Sequence, residues 1–383
     1  MLFNLLSSTY AVDRFEPVAK WLTIGFLSAL LLTALIVLFL DKKSLGKFAK
    51  AGLISFTLFA LILGITLLVL EICKKYSTAY LEDNWVSLDV VSYVFIPVLC
   101  TLLIALVGGI VLFVMLKKKL TGVKKYCIVY GIILAVFLII ALVLMGVYHS
   151  NNILGDGYYT DPEYGKLNPT MLYISAGIVV AITIAIAFIV GRKDKKPFDT
   201  HCIAIAGICV ALSFALSYIK LWDMPTGGSV TLVSLLPVTL FAYIYGIKKG
   251  LLVGLLYGML QAIQDPWLIH PAQFLLDYPI AFSMVCFGGL LSSMNVLKKA
   301  PQLKFALSAC IAGAFRFLCH VLSGVFAFGA YAADSGATNF WAYSLAYNSY
   351  VFIDIALVVV MGIVILSSKS FNREINKLSE NLD

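Results

Sequence analysis

TMLYISAGIVVAITIAIAFIVGRKDKKPFDT (170–200) decides how the rest of the chain is read. Its first part, 170–191, carries no charged residue. A helix that crosses a bilayer needs about 20 mostly apolar residues. Its second part, RKDKKPFDT (192–200), is the only charged, proline-containing break between two hydrophobic blocks. Similar apolar runs lie before it at 19–40, 48–72, 90–116 and 126–148, and after it at 202–220, 230–246, 250–263, 273–295, 304–330 and 343–367. The 250–263 run is short and stops at Asp265-Pro266. The expectation is an all-α polytopic membrane protein with about 11 transmembrane helices, five before the break and six after it. Residues 1–191 would form a five-helix membrane module, 192–200 a cytoplasmic linker, 201–370 a second six-helix bundle and 371–383 a cytoplasmic tail.

Composition agrees. Hydrophobic residues make up 61% of the 383 positions and charged ones 13%, where soluble domains carry roughly a quarter charged residues. Mean hydropathy is +0.98. A soluble fold could not hide this much apolar surface, so lipid is the expected solvent. The net charge of +8 does not point to nucleic acid, because the basic residues fall in short clusters between apolar runs. The eight cysteines lie in or beside apolar segments without metal-ligand spacing, and read as small hydrophobes. The first apolar run begins near Trp21 and is followed by lysines rather than a small-residue cleavage site, so no cleavable signal is expected.

Lysine and arginine accumulate on the cytoplasmic side of a membrane. Lys42, Lys43 and Lys47, the 117–125 cluster, 192–196, Lys248-Lys249, Lys298-Lys299-Lys304 and the Lys369…Lys377 tail therefore point inward. The loops at 222–229, 265–272 and 331–342 hold no Lys or Arg and point outward. The pattern gives an outside N-terminus and a cytoplasmic C-terminus.

Almost no ionisable residue interrupts the first block's spans, and nothing there suggests chemistry. The second block sets Asp277, Arg316, His320, Asn348 and Asp354 in or beside apolar helices. Each is costly in hydrocarbon without a partner, cavity or ligand. At about 1.5 Å of rise per residue, Asp277 and Tyr278, His320 and Gly324, and Tyr343 and Asn348 reach one depth near the outer face from three helices. Trp222, Trp267, Phe328 and other aromatics thicken that layer, although Trp and Tyr gather at interfaces in any case. The mixture suits a small polar aromatic ligand. Arg316 and Asp354 lie at similar depth and are expected to form a structural ion pair, with an Arg316–Asp277 pair as the rival.

HPAQFLLDYPIAF (270–282), RFLCHVLSGVFAF (316–328), AYSLAYN (342–348) and MPTGGSVTLVSLLP (224–237) resemble the ligand-binding segments of the thiamine-specific S-components of energy-coupling factor transporters. The resemblance covers about 197–370. It implies substrate-binding roles for Asp277, Tyr278, His320, Gly324, Tyr343 and Asn348, with Trp267 covering the pocket. Phe328 stands where a relative has a stacking tryptophan, Gly228 where it has another, and Trp222 is a nearby substitute. It also implies energising partners, a shared transmembrane subunit and two ATPases. The chain itself has no GxxxxGK[ST] phosphate loop. Gly207, Ala211 and Ala215 form a small-residue stripe at four-residue spacing where the family has its docking helix.

Thiamine's permanently cationic thiazolium suits a carboxylate and aromatic faces, and its aminopyrimidine suits Asn348, Tyr343 and Asp277. The expected function is high-affinity capture of thiamine from outside a bacterial plasma membrane, energised in trans. The alternatives are an S-component for another vitamin or a thiamine precursor, and a membrane vitamin sensor or interaction protein. No enzyme, cofactor or metal site is expected, since no nucleophile or ligand set accompanies Asp277 and His320.

Overall fold

The computed structural model describes residues 9–40, scattered positions between 48 and 69, and 91–154, 167–193, 199–224, 228–264, 267–292, 294, 296–297, 299–369 and 371–373. About half of the expected 48–72 span, the middle of the linker (194–198), the Asp265-Pro266 stop, Lys42, Lys43, Lys47 and Lys298, and the tail from 374 lie outside the described residues.

The first half supplies α1 (Thr9–Leu40), α2 (Ile96–Lys117), α3 (Val123–Tyr148) and α4 (Pro169–Val190). A π turn, Val91–Phe95, leads into α2, and another, His149–Ile153, extends α3. The start of α4 is written locally. The Asn168 side chain accepts from Met171 N and proline occupies the first turn, where its missing N–H costs nothing. The second half supplies α5 (Thr200–Ser217), a hairpin of β1 (Lys220–Asp223) and β2 (Ser229–Thr231), α6 (Leu236–Tyr245) and α7 (Ile247–Gln264). Asp199 caps α5 by accepting from Cys202 N at 2.7 Å. Then come α8 (Pro271–Leu275), a π turn (Leu276–Ile280), α9 (Ala281–Ser283) and a 3-10 stretch (Met284–Gly289). The last elements are α10 (Pro301–Ala327), α11 (Gly329–Asp334), α12 (Phe340–Tyr347) and α13 (Tyr350–Ser367).

The fold is all-α and polytopic. Among the described residues, six helices are long and apolar enough to cross a membrane: Ser92–Lys117, Val123–Ile153, Pro169–Val190, Thr200–Ser217, Pro301–Ala327 and Phe340–Ser367. The Lys20–Leu35 part of α1 and the helix Leu236–Tyr245 are shorter apolar stretches. Two expected spans take other forms. Residues 230–246 give a strand and then α6, because residues 220–231 fold back as an antiparallel hairpin. Residues 273–295 break into short α, π and 3-10 pieces around Pro279, which has no N–H to donate.

Packing crosses the charged break. Val94, Phe95 and Val98, Met145 and Tyr148, and Leu172, Ala176 and Val179 share one buried core with Met259, Phe274, Leu276, Met284, Phe287, Cys319 and Ala327. A second core joins α5, α6, α7, α10 and α13 around Phe214, Phe241, Tyr257, Phe305 and Val351. The outer faces of α2, α3 and α4 stay apolar and exposed, as at Leu106, Ile132 and Phe188, which is the surface lipid would cover.

Candidate functional site

A glycine stripe on α7 sets where the broken segment lies. Gly250, Gly254 and Gly258 are spaced one turn apart. A Cβ on Gly254 would sit 2.7 Å from Phe282 O, and one on Gly258 would sit 2.6 Å from Tyr278 O and 2.9 Å from Pro279 Cα. Only hydrogen fits there, so the backbone of 278–286 runs against the α7 backbone. The fit fixes the height of Asp277 and Tyr278.

Asp277 then meets α10. Its Oδ2 accepts from Ser323 Oγ and from Gln273 Nε2, both at 2.7 Å, and its Oδ1 lies 3.2 Å from His320 Nδ1. With an ionised carboxylate, Nδ1 carries the proton. His320 Nε2 is buried and has no hydrogen-bond partner among the described residues. Gln273 stands one turn before Asp277, which puts both on one helix face.

Asn348 caps the end of α12. Its Nδ2 donates to Ser344 O at 2.9 Å and reaches Ser344 Oγ and His320 O at 3.2 and 3.4 Å. Gly324 permits this crossing, since a Cβ there would strike Ser344 Oγ and approach the Asn348 amide. Aromatic rings close the layer. Tyr343 and Tyr347 stack at 6.1 Å, Trp267 meets Tyr331 edge-on at 6.2 Å, and Phe328 lies 5.9 Å from Tyr331. Tyr278 Oη accepts from Trp267 N at 2.8 Å.

These groups line a cavity of about 450 Å³, together with Ser217, Lys220, Gln261 and Gln264, a size suited to a small ligand. Lower on the same wall, Arg316 Nη1 lies 2.9 Å from Asp354 Oδ2, both side chains buried. Asp354 Oδ1 also accepts from Thr231 N and Oγ1 at 3.4 and 3.3 Å, tying the hairpin to α13. The Arg316 guanidinium lies 4.8 Å above the Phe282 ring.

Asp277, Tyr278, His320, Gly324, Tyr343, Asn348, Trp267 and Phe328 thus share one cavity lining. Trp222 is not part of it. It sits 59% exposed on β1. On α5, Gly207 is exposed, Ala211 half-buried and Ala215 buried, so the stripe faces outward only at its N-terminal end. Sequence reading missed Gln273 and Ser323 and a polar trio at the far wall. In that trio, Gln261 Nε2 donates to Ser217 Oγ at 2.9 Å and to Gln264 Oε1 at 3.1 Å, and Ser217 Oγ donates to Gln264 Oε1 at 2.8 Å. The available signal was amides in an apolar helix at three-residue spacing. The loop 267–270 lies outside the spans. His270 Nδ1 there accepts from Ala272 N at 3.1 Å, and burial, aided by nearby His149, pushes its imidazole down to about 4.

The family model for thiamine transporter protein (Thia_YuaJ) matches residues 203–374. The chain is 38% identical over 134 residues to "Thiamine transporter ThiT" of Bacillus subtilis (strain 168), across 33% of this chain and 68% of that one. It is 31% identical over 172 residues to "Thiamine transporter ThiT" of Lacticaseibacillus paracasei (strain ATCC 334), across 41% of this chain and 83% of that one. No solved structure matches it significantly.

Proposed function

The chain belongs to the thiamine transporter protein family, and from that premise we propose that it captures thiamine in the cavity around Asp277. The observation that carries the reading is the Asp277 carboxylate itself. It is held by Gln273, Ser323 and His320 inside an aromatic-lined cavity, with no Lys or Arg paired to it among the described residues. A half-buried carboxylate with no fixed positive charge beside it favours a cation. Thiamine's thiazolium supplies one and also suits aromatic faces, where a desolvated cation–π contact is worth about 2 kcal/mol. The aminopyrimidine can donate to Asp277 and to Asn348 Oδ1, because the Asn348 amide nitrogen is already engaged within the protein. Tyr343, Tyr278, Trp267 and Phe328 would enclose the rings.

On this reading residues 201–370 are the substrate-binding domain, 1–191 an additional membrane module, 192–200 its cytoplasmic linker and 371–383 a cytoplasmic tail. The N-terminus is outside and the protein is not an enzyme. Energy comes from a transmembrane partner with two ATPases, docked on the outward-facing Gly207–Ala211 end of the α5 stripe. Support for the orientation is the basic clustering at 117–125 and 192–196.

The test is calorimetric titration of the purified protein with thiamine, with Asp277→Ala beside it, and an uptake assay on Ala211→Trp. Tight binding that Asp277→Ala abolishes is expected, with Ala211→Trp binding normally but failing in uptake. A well-folded wild-type protein that does not bind thiamine would defeat the reading.

A further inference from the structure

Asp277 is not held by its own domain alone. Its partner Gln273 is fully engaged. The amide oxygen accepts from Ile269 N at 3.0 Å and His270 N at 3.5 Å, and the amide nitrogen donates to Trp267 O at 3.1 Å and Asp277 Oδ2 at 2.7 Å. The carboxylate is therefore oriented by a side chain whose own orientation is set by the backbone of loop 267–270. That loop is anchored from the first half of the chain. His149, at the end of α3, donates from Nδ1 to Ile269 O at 2.8 Å, and both residues are buried. Two rings hold His270 edge-on: His149 at 4.8 Å and 86°, and Tyr173 of α4 at 4.8 Å and 73°.

A second directional contact reaches the opposite wall. Asn168 N donates to Phe326 O at 2.8 Å near the outer end of α10, the helix that brings His320 and Ser323 to Asp277. Hydrophobic packing alone would account for a shared core, but not for two hydrogen bonds that pin backbone carbonyls on the two segments converging on Asp277. His149, Asn168 and Tyr173 all precede the 203–374 region matched by the family model.

We propose that the helices before residue 191 act as a brace for the binding site, in which His149 is a positioning residue that fixes the Asp277 carboxylate through Ile269 and Gln273. The inference rests on reading the cavity as the thiamine site. It assigns this chain's additional helices a task in ligand retention: they hold the Trp267 loop and the acid in the bound geometry before ligand arrives, which lowers the ordering cost of binding.

The experiment uses the full chain with His149→Ala, His149→Phe, which keeps the ring but has no donor, and His149→Asn, which restores a donor close to Nδ1. Amide hydrogen exchange of residues 268–277 is measured without ligand, and thiamine dissociation is followed by tryptophan fluorescence. Exchange is expected to rise about tenfold in the first two variants, with thiamine leaving roughly five to ten times faster, while His149→Asn stays close to wild type. The proposal is overturned by unchanged exchange in both donor-free variants. It is equally overturned by raised exchange with an unaltered dissociation rate, or by His149→Asn behaving like His149→Ala. Absence of thiamine binding by the wild-type protein would sink the ligand assignment instead and leave the exchange arm to decide the brace.

Discussion

Removing the Asp354 carboxylate should strand the Arg316 guanidinium in a site where both side chains are buried. The side chains are 7% and 2% exposed and 2.9 Å apart. Two unit charges about 4 Å apart interact by roughly 4 kcal/mol at an effective dielectric constant near 20, and breaking a buried pair by deleting one partner costs about 3–5 kcal/mol. The Phe282 ring below the guanidinium does not reduce this figure, because it is present with or without Asp354. The long bonds from Thr231 to Oδ1 add well under about 1 kcal/mol each. Asp354→Ala should therefore lose about 4 kcal/mol, which for a domain of this size lowers the melting temperature by about 10 °C. The assay is thermal melting in detergent followed by tryptophan fluorescence, run on Asp354→Ala, Arg316→Met and the double Arg316→Met/Asp354→Leu. The double variant buries no charge and should recover more than half of the loss, as apolar replacements of buried pairs do. A shift below about 3 °C for Asp354→Ala, or a double variant as poor as its worse parent, would refute the reasoning.

Gly258→Val would press a side chain into Tyr278 O and Pro279 Cα; the π turn must move, and thiamine affinity should fall at least about tenfold, whereas Gly207→Ala, which meets nothing within 4 Å, should leave binding intact. Equal binding in both, by titration, would show that the stripe does not set the height of Asp277. For pH, the His270 imidazole sits at about 4 in the folded protein against about 6.5 unfolded. The unfolded chain therefore takes up the proton first on acidification. The loop's stability is complete above about pH 6.5 and is lost as pH falls towards 4, by a ceiling of about 3 kcal/mol. Melting of wild type across that window should slope downward with acid, and His270→Asn, which caps without titrating, should flatten the slope; an equal slope in both would assign it to other groups.

The helices that face lipid were legible because a single rule governs them. The apolar run at 170–191 became Pro169–Val190, and that at 304–330 became Pro301–Ala327, with Asn168 and the two prolines marking the starts. Where helices face protein instead, the rule fails. Residues 273–295 looked like a span, yet the segment's shape answers to the glycines of α7 rather than to its own hydropathy. The hairpin at 220–231 was invisible for a similar reason: strands so short are specified by pairing and by the Thr231–Asp354 tie, not by an alternating pattern. At the site, rare charges in apolar helices gave away Asp277, His320, Arg316 and Asp354. Gln273 and Ser323 carried no such signal, because neutral polar residues are tolerated in helices without revealing what they touch. Trp222 was ambiguous because an aromatic near a membrane interface has two reasons to be there; it stands exposed on β1, outside the cavity lining.

The two acids on the cavity wall, Asp354 buried and Asp277 half-buried, separate permanent from conditional charge balance. Asp354 has a guanidinium at ion-pair distance and two further donors from Thr231, so its charge is met within the protein. Asp277 is met by an amide, a hydroxyl and an imidazole. These orient the carboxylate without bringing a fixed positive charge. Orientation without neutralisation is costly in an empty site and becomes favourable only when a cation enters, because the desolvation is already spent and the geometry already set. On the thiamine reading, that asymmetry explains why three donors converge on Asp277 while the nearby arginine is committed elsewhere. Were Arg316 free to reach Asp277, the cavity would hold a closed ion pair and a cationic ligand would have to displace it. On the same reading, keeping Arg316 on Asp354 leaves the Asp277 carboxylate available to a cationic ligand.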